Sequence, residues 1–424
     1  MIAEGLPYDP ASQVTNILHQ LTATSATINQ AAYAYNPVGN RMSLTDRRGS
    51  QAFGYDTLAR LTSASHPLLA TPQAFAYDAV GNRTTGGSVV NAGNQLTADA
   101  NYTYQYDDSG NLTRKTLLAT GNFTQFTYDA ENRLTKVEDF VAGNPTASAT
   151  STYSYDGLGR RIEKVANGQT KRYVYDGEDI LLEYDGANVL QARYTHGPGI
   201  DEPIAVTKGG ATFFYHQDGL GTVTDLTNAA GATAKSYAYD AYGNIVDQMG
   251  TLDQPYSYTG REFDAETGLH YYRARYYDPA SGRFLQKDPI GFLGKDVNLY
   301  RYVHSNPANQ TDPAGLGPIS FTACTILNVG KQLNDLRLDL NLLDETTQLT
   351  REMLARVEAE ILACPSRDTE RLVELKQIRD RLGLQLDQLI ASSASDKTKA
   401  GLYQVAEGII WEGICGLALA LPIP

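Results

Sequence analysis

Four aspartates in this chain precede proline: Asp9-Pro10, Asp278-Pro279, Asp288-Pro289 and Asp312-Pro313. Two carboxyl groups become catalytic only when they are held so close that one keeps its proton. The ionised one then activates water and the neutral one polarises a carbonyl. Spacing alone places no two of these aspartates together, and an Asp-Pro step is first of all a turn starter. His196 and His216 lie far apart with no Ser, Cys or paired carboxylate beside them, and read as turn or strand-end histidines. Cys324, Cys364 and Cys415 are the only cysteines; an odd number leaves a thiol unpaired within the chain, and without a neighbouring His they make no zinc site. Glu358 with Glu360, and Asp335 with Asp339, read as helix-surface carboxylates rather than a metal site. No metal and no cofactor is expected.

The elements that must position any such residues are strands. Tyr (28) far exceeds Phe (11) and Trp (1), and 38 Gly accompany many Asn and Asp, a composition for short strands joined by tight turns. One phrase recurs: Tyr55-Asp56 through Arg60, Tyr77-Asp78 through Gly81-Asn82-Arg83, Tyr106-Asp107 through Gly110-Asn111, Tyr128-Asp129 through Arg133, and Tyr155-Asp156 through Gly159-Arg160. The spacing of about 20 to 29 residues is that of a stacked repeat. Each unit reads as a β-hairpin: an alternating strand such as 102–106, an Asp-x-x-Gly-Asn turn, and a returning strand such as 112–116. A lone hairpin buries no face, so stability must come from stacking on its neighbours. Tyrosines two apart, such as Tyr102, Tyr104 and Tyr106, would line one face, and packing explains them better than a carbohydrate groove.

These units resemble the YD repeats of Rhs and related polymorphic toxins, wall-associated bacterial proteins and teneurins. The resemblance implies hairpins wound into a spiral sheet that closes into a hollow shell. From Gly260-Arg261-Glu262, through Tyr271-Tyr272-Arg273-Ala274-Arg275-Tyr276-Tyr277-Asp278-Pro279 and Asp288-Pro289-Ile290-Gly291, to Asn298-Leu299-Tyr300-Arg301-Tyr302, the chain matches the Rhs-associated core in order. It ends on Pro307, Asp312, Pro313, Gly315 and Leu316, which fit the closing motif P-x4-D-P-x-G-L. The resemblance implies that the shell acts as an intramolecular aspartic peptidase cutting between Leu316 and Gly317. Asp288 and Asp312 are the candidates for its carboxylate pair, with Asp296 a third. Many relatives carry Arg before this Asp-Pro-Ile-Gly where Lys287 stands here. An ammonium does not give the bidentate support of a guanidinium, so Lys287 either supports a slower cleavage or has no part in it.

The expected architecture is mainly β, a YD-repeat array over 1–250 and the Rhs-associated core over 251–316, followed by a small α-helical domain over 317–424. Relatives' shells use many hundreds of residues; about 300 precede Leu316 here, too few by that comparison to enclose a cargo. After Leu316 the pattern turns helical, with leucine-lined faces over 331–363 and 369–391 separated by Pro365. The apolar stretch within 401–421 is too short to span a bilayer and is expected to pack rather than touch membrane. In the family this position holds a variable effector, yet the tail has no histidine and no H-x-E with C-x-x-C, which disfavours a histidine-dependent nuclease or a zinc deaminase. The net charge of -13 argues against nucleic acid or anionic membrane as partner of the whole molecule. The resemblance implies other partners: a cognate immunity protein for the tail, and a secretion apparatus or a preceding Rhs segment. Without a basic n-region and apolar h-region at the start, export is expected by a route that needs no signal peptide, or as a piece of a longer exported protein. The alternative is a non-enzymatic YD-repeat surface or adhesion protein with an anchoring or oligomerising tail.

Overall fold

A computed structural model describes residues 7–21 and 24–320. The expected helices and effector, and the 401–421 segment, lie outside the described residues. Within them the fold is an antiparallel meander in which strand after strand pairs with its sequence neighbour. Six strands, Asn16–Leu21 to Gln73–Ala74, form one sheet, and sixteen, Val89–Val90 to Ile245–Met249, form another. The hairpin proposed around Asp107 is present, Tyr102–Tyr106 paired with Leu112–Leu117.

The repeat phrase is one turn used many times. Asp129 Oδ1 accepts the amides of Glu131 (2.9 Å) and Arg133 (3.0 Å), and its Oδ2 accepts Arg133 Nε at 2.7 Å. Asp56 and Asp156 do the same with Leu58 and Arg60, and with Leu158 and Arg160. The turn needs a left-handed residue just before the last position, supplied by Gly110 (φ 89°) or Gly159 (φ 83°) and elsewhere by Asn132 (φ 61°). A register shift falls at the tyrosine entering the turn, as between Thr127 and Tyr128, the kind of irregularity that bends a strand and adds twist.

The tyrosine of the phrase does more than pack. Tyr128 Oη donates to the Leu112 carbonyl (2.8 Å), Tyr77 Oη to Leu61 (2.7 Å), Tyr175 Oη to Arg161 (2.8 Å) and Tyr239 Oη to Val223 (3.0 Å). Each hydroxyl reaches back to where an earlier hairpin's returning strand begins, so repeats are tied by hydrogen bonds as well as by stacking. Phenylalanine could fill the space but not close that bond, which accounts for the excess of Tyr. The arginine that braces one turn also covers the ring of the next, Arg133 over Tyr155 at 5.1 Å and Arg60 over Tyr77 at 5.1 Å.

A four-stranded sheet follows: Glu262–Asp264, Leu269–Tyr272, Arg275–Asp278 and Arg283–Phe284. Its central strands are buried along their whole length, and their alternation serves two cores. Tyr272, Tyr277 and Phe284 join Tyr194, Val206 and Tyr239, whereas Tyr271, Tyr276 and Leu285 join Leu112, Leu134 and Tyr153. The paired tyrosines of the sequence are therefore one face each of a strand with no solvent side. One cluster of charge in this interior is matched: Arg161, fully buried, reaches Glu262 at 2.7 Å and also Asp264, which takes Lys164 at 2.8 Å.

Candidate active site

The hairpin linking Tyr272 to Arg275 turns through Arg273, held at φ 53°. Its tip lies along the closing segment and grips consecutive carbonyls. Arg273 Nη1 donates to Pro313 O, the Ala274 amide to Ala314 O (3.2 Å), and Arg275 Nε to Gly315 O. Gly315 takes φ 67°, and an added Cβ would lie 2.3 Å from Tyr272 O, so only glycine lets the segment approach this closely. Asp312, Pro313 and Gly315 are buried, and so is Pro307, at the other end of the motif. There Asn309 anchors the segment to the first sheet, accepting the Arg41 amide (2.7 Å) and donating to Tyr55 Oη (2.9 Å).

Both aspartates proposed from the motif meet at Arg275. Its Nη2 lies 3.1 Å from Asp288 Oδ2 and 3.2 Å from Asp312 Oδ2, and its Nη1 donates to Leu299 O at 3.0 Å. Asp288 is fixed by its own backbone, its amide on Leu299 O (2.9 Å), and by the Ile290 amide on Oδ1 (3.0 Å). Asp312 is fixed by the peptide groups around the motif's end: Oδ1 accepts the Leu316 amide at 2.9 Å and Oδ2 the Gly317 amide at 3.1 Å. One oxygen of Asp312 is thus in contact with the nitrogen of the Leu316–Gly317 bond.

Burial dominates the electrostatics. It pushes the Asp312 carboxyl up to about 6 against the opposing pull of Arg275 and the two amides, with the nearby Asp288 charge adding to the rise. Asp288 is raised as well, by burial first, and Arg275 is lowered by its own burial despite both carboxylates. Two carboxylates and one guanidinium carry a net negative charge in a buried site, so the cluster favours taking up one proton, and Asp312 is the group displaced furthest.

The other sequence candidates lie elsewhere. Lys287 lies against Gly110 and Tyr300: an added Cβ on Gly110 would meet its Cε at 2.4 Å and Tyr300 Oη at 2.6 Å. The cation paired with Asp288 is Arg275. Asp296 is held by Arg301, Nε at 2.6 Å and Nη2 at 2.9 Å. His196, last residue of its strand, bonds Ile180 O at 3.0 Å, and His216 bonds Thr227 Oγ1 at 2.8 Å. Sequence reasoning missed Arg273 and Arg275. Their signal was two cations between two tyrosine pairs in a stretch otherwise fit for burial.

The Teneurin YD-shell family model matches residues 38–308. Among curated relatives, the tRNA3(Ser)-specific nuclease WapA of Bacillus spizizenii is 37% identical over 280 residues, 62% of this chain and 12% of the relative. The double-stranded DNA deaminase toxin A of Burkholderia cenocepacia is 33% identical over 338 residues, 69% of this chain and 23% of the relative. Toxin protein Tse5 of Pseudomonas aeruginosa is 27% identical, covering 68% of this chain and 27% of the relative. The chain thus spans from about an eighth to about a quarter of these relatives' length. The crystal structure of TcdB2-TccC3 shares the fold, with a TM-score of 0.51 at 20% identity over 73% of this chain and 18% of that one. Repeat turn, tyrosine ties, core order and family match agree, and the chain belongs to the YD-shell proteins of the Rhs/YD-repeat polymorphic toxin family.

Proposed function

We propose that this YD-shell segment cuts its own chain between Leu316 and Gly317 and so releases the residues that follow as a toxin effector. The observation that carries the reading is the pairing of Asp288 and Asp312 on one guanidinium, with Asp312 Oδ2 3.1 Å from the nitrogen of the bond to be cut. Asp288, ionised, takes a proton from water as the water oxygen bonds to the Leu316 carbonyl carbon. Asp312, neutral, gives its proton to the Gly317 nitrogen as the carbon–nitrogen bond breaks. The products are the Leu316 carboxylic acid, which gives up its proton to Asp312 or solvent, and the Gly317 amine. Arg275 pairs with both carboxyls and, through Gly315 O, holds the segment that presents the bond.

Nuclease, deaminase and toxin are the words in the relatives' names, and in each of them this chain's counterpart is a minor part. The corresponding role here is to present or enclose the effector over 317–424 and to free it in interbacterial competition or host targeting, after delivery outside the producing cell. An immunity protein for the tail and a preceding Rhs segment or secretion apparatus are the partners this role requires. Expression of the full chain tests the reading: the wild type yields two fragments, and Asp288→Asn and Asp312→Asn each leave one intact chain. Equal fragmentation in both variants overturns it. A wild type that stays whole, with a tail harmless in cytosol and periplasm, favours the surface-protein alternative.

A further inference from the structure

Gly291 and Gly294 bracket the short 3-10 turn that follows Asp288, and their glycines serve different ends. Gly291 has φ 58° with nothing within 4 Å of an added Cβ, so its backbone conformation is what calls for glycine. Gly294 is absent from the positive-φ glycines. What constrains it is space. An added Cβ would lie 2.9 Å from Asp288 Oδ2, 3.5 Å from Asp288 Cγ and 3.1 Å from the Leu316 carbonyl oxygen. That one point is near contact distance from both the carboxylate and the carbonyl of the bond to be cut. On the far side of the bond, the Gly294 carbonyl oxygen lies 3.2 Å from where a Gly317 Cβ would be, and Gly317 sits at φ 133°. A side chain on Gly294 would therefore meet the Leu316 carbonyl, and one on Gly317 would meet the Gly294 carbonyl.

We infer that Gly294 is a positioning residue for the self-cleavage, and that its missing side chain keeps open the gap in which Asp288 and a water meet the Leu316 carbonyl. A methyl group there would fill the approach and push Asp288 or the carbonyl aside. The inference rests on the self-cleavage reading and adds to it a requirement that neither aspartate conveys. The groups that face Asp288 are Arg275 at 3.1 Å, Asp312 across the shared guanidinium, and the more distant Asp296 charge. None of them is on the loop that carries Gly294 except Asp296, which is bound to Arg301.

The test follows cleavage of the full chain 1–424 in wild type, Gly294→Ala and Phe292→Ala, with time courses over a range of pH and with thermal unfolding of each protein. Phe292 is in the same turn but 72% exposed. Gly294→Ala is expected to stay folded at the assay temperature, with the lower unfolding temperature that overpacking brings. It should cleave roughly 100-fold more slowly, the order of cost of a displaced reacting group. Its residual activity should have the acid limb of the pH profile moved to higher pH, because the methyl takes water away from Asp288, while the alkaline limb stays in place. Phe292→Ala should cleave like the wild type. Wild-type rates in Gly294→Ala overturn the inference and leave the self-cleavage reading standing. Equal slowing in Phe292→Ala, or a lower rate with an unmoved profile, assigns the effect to the loop as a whole and also overturns it. An uncut wild type overturns both readings.

Discussion

Asp312 accepts the amide of Gly317 on Oδ2 at 3.1 Å, so the carboxyl most displaced by burial touches the nitrogen that cleavage must protonate. The same oxygen receives Arg275 at 3.2 Å. A proton arriving on this carboxyl therefore has a use, and one guanidinium couples it to Asp288.

Cleavage should depend on pH with an alkaline limb near Asp312's value. The acid must be neutral, and burial holds its pKa at about 6. Raising the pH through that value removes the proton and lowers the rate, by about tenfold per unit once above it. On the acid side the rate falls as Asp288 is protonated. Single-turnover rates from pH 4 to 9 check this; a rate that climbs steadily through pH 7 to 9 contradicts the assignment.

Arg275→Gln removes the group that, among the described residues, is paired with both aspartates. Its loss leaves two buried carboxyls facing one another without this cation, takes the Arg275 donor from Gly315 O, and leaves Leu299 O with the Asp288 amide alone. Breaking a buried ion pair from one side costs about 3 to 5 kcal/mol, so unfolding should come at visibly lower denaturant. Cleavage should be lost with it. Arg275→Lys keeps charge without the fork of donors and should restore part of the stability but not the rate.

Tyr128→Phe isolates the tie between repeats. The ring stays and only the bond from Oη to Leu112 O is lost, leaving that carbonyl without this donor. The expected loss is about 1 to 3 kcal/mol in denaturant unfolding. Cleavage of the folded fraction should be unchanged, because Asp312 is held by Arg275 and the Leu316 and Gly317 amides, none of which the tie involves.

Asp129→Ala removes an oxygen that accepts two turn amides and another that braces Arg133. Its cost should resemble the loss of a helix cap, about 1 to 2 kcal/mol. Because Arg133 also covers the ring of Tyr155, the double variant Asp129→Ala with Tyr155→Leu, which removes that ring, should show coupling rather than simple addition.

The repeats were legible in the sequence because their information is local. Asp129, the left-handed Asn132 and Arg133 lie within five residues, and the turn they build needs nothing from the rest of the molecule. The hydroxyl ties were not, since the partner of Tyr128 is a carbonyl sixteen residues away that no pattern marks. At the site, Asp288 and Asp312 came from an ordered motif, whereas Arg275 had to be placed by a hairpin before its two partners could be seen. Lys287 shows the limit of adjacency: it is next to Asp288 in the chain, but successive strand-like residues point apart, and its side chain lies by Gly110. Gly294 carried no signal, because its role is a space that only the fold defines.

The most direct measurement is the mass and first residue of the fragment that appears when the full chain is left at pH 5 to 6. A released piece beginning at Gly317, with Leu316 as the last residue of the other, is the predicted result. An uncut chain, or a cut that begins at any other residue, contradicts the account.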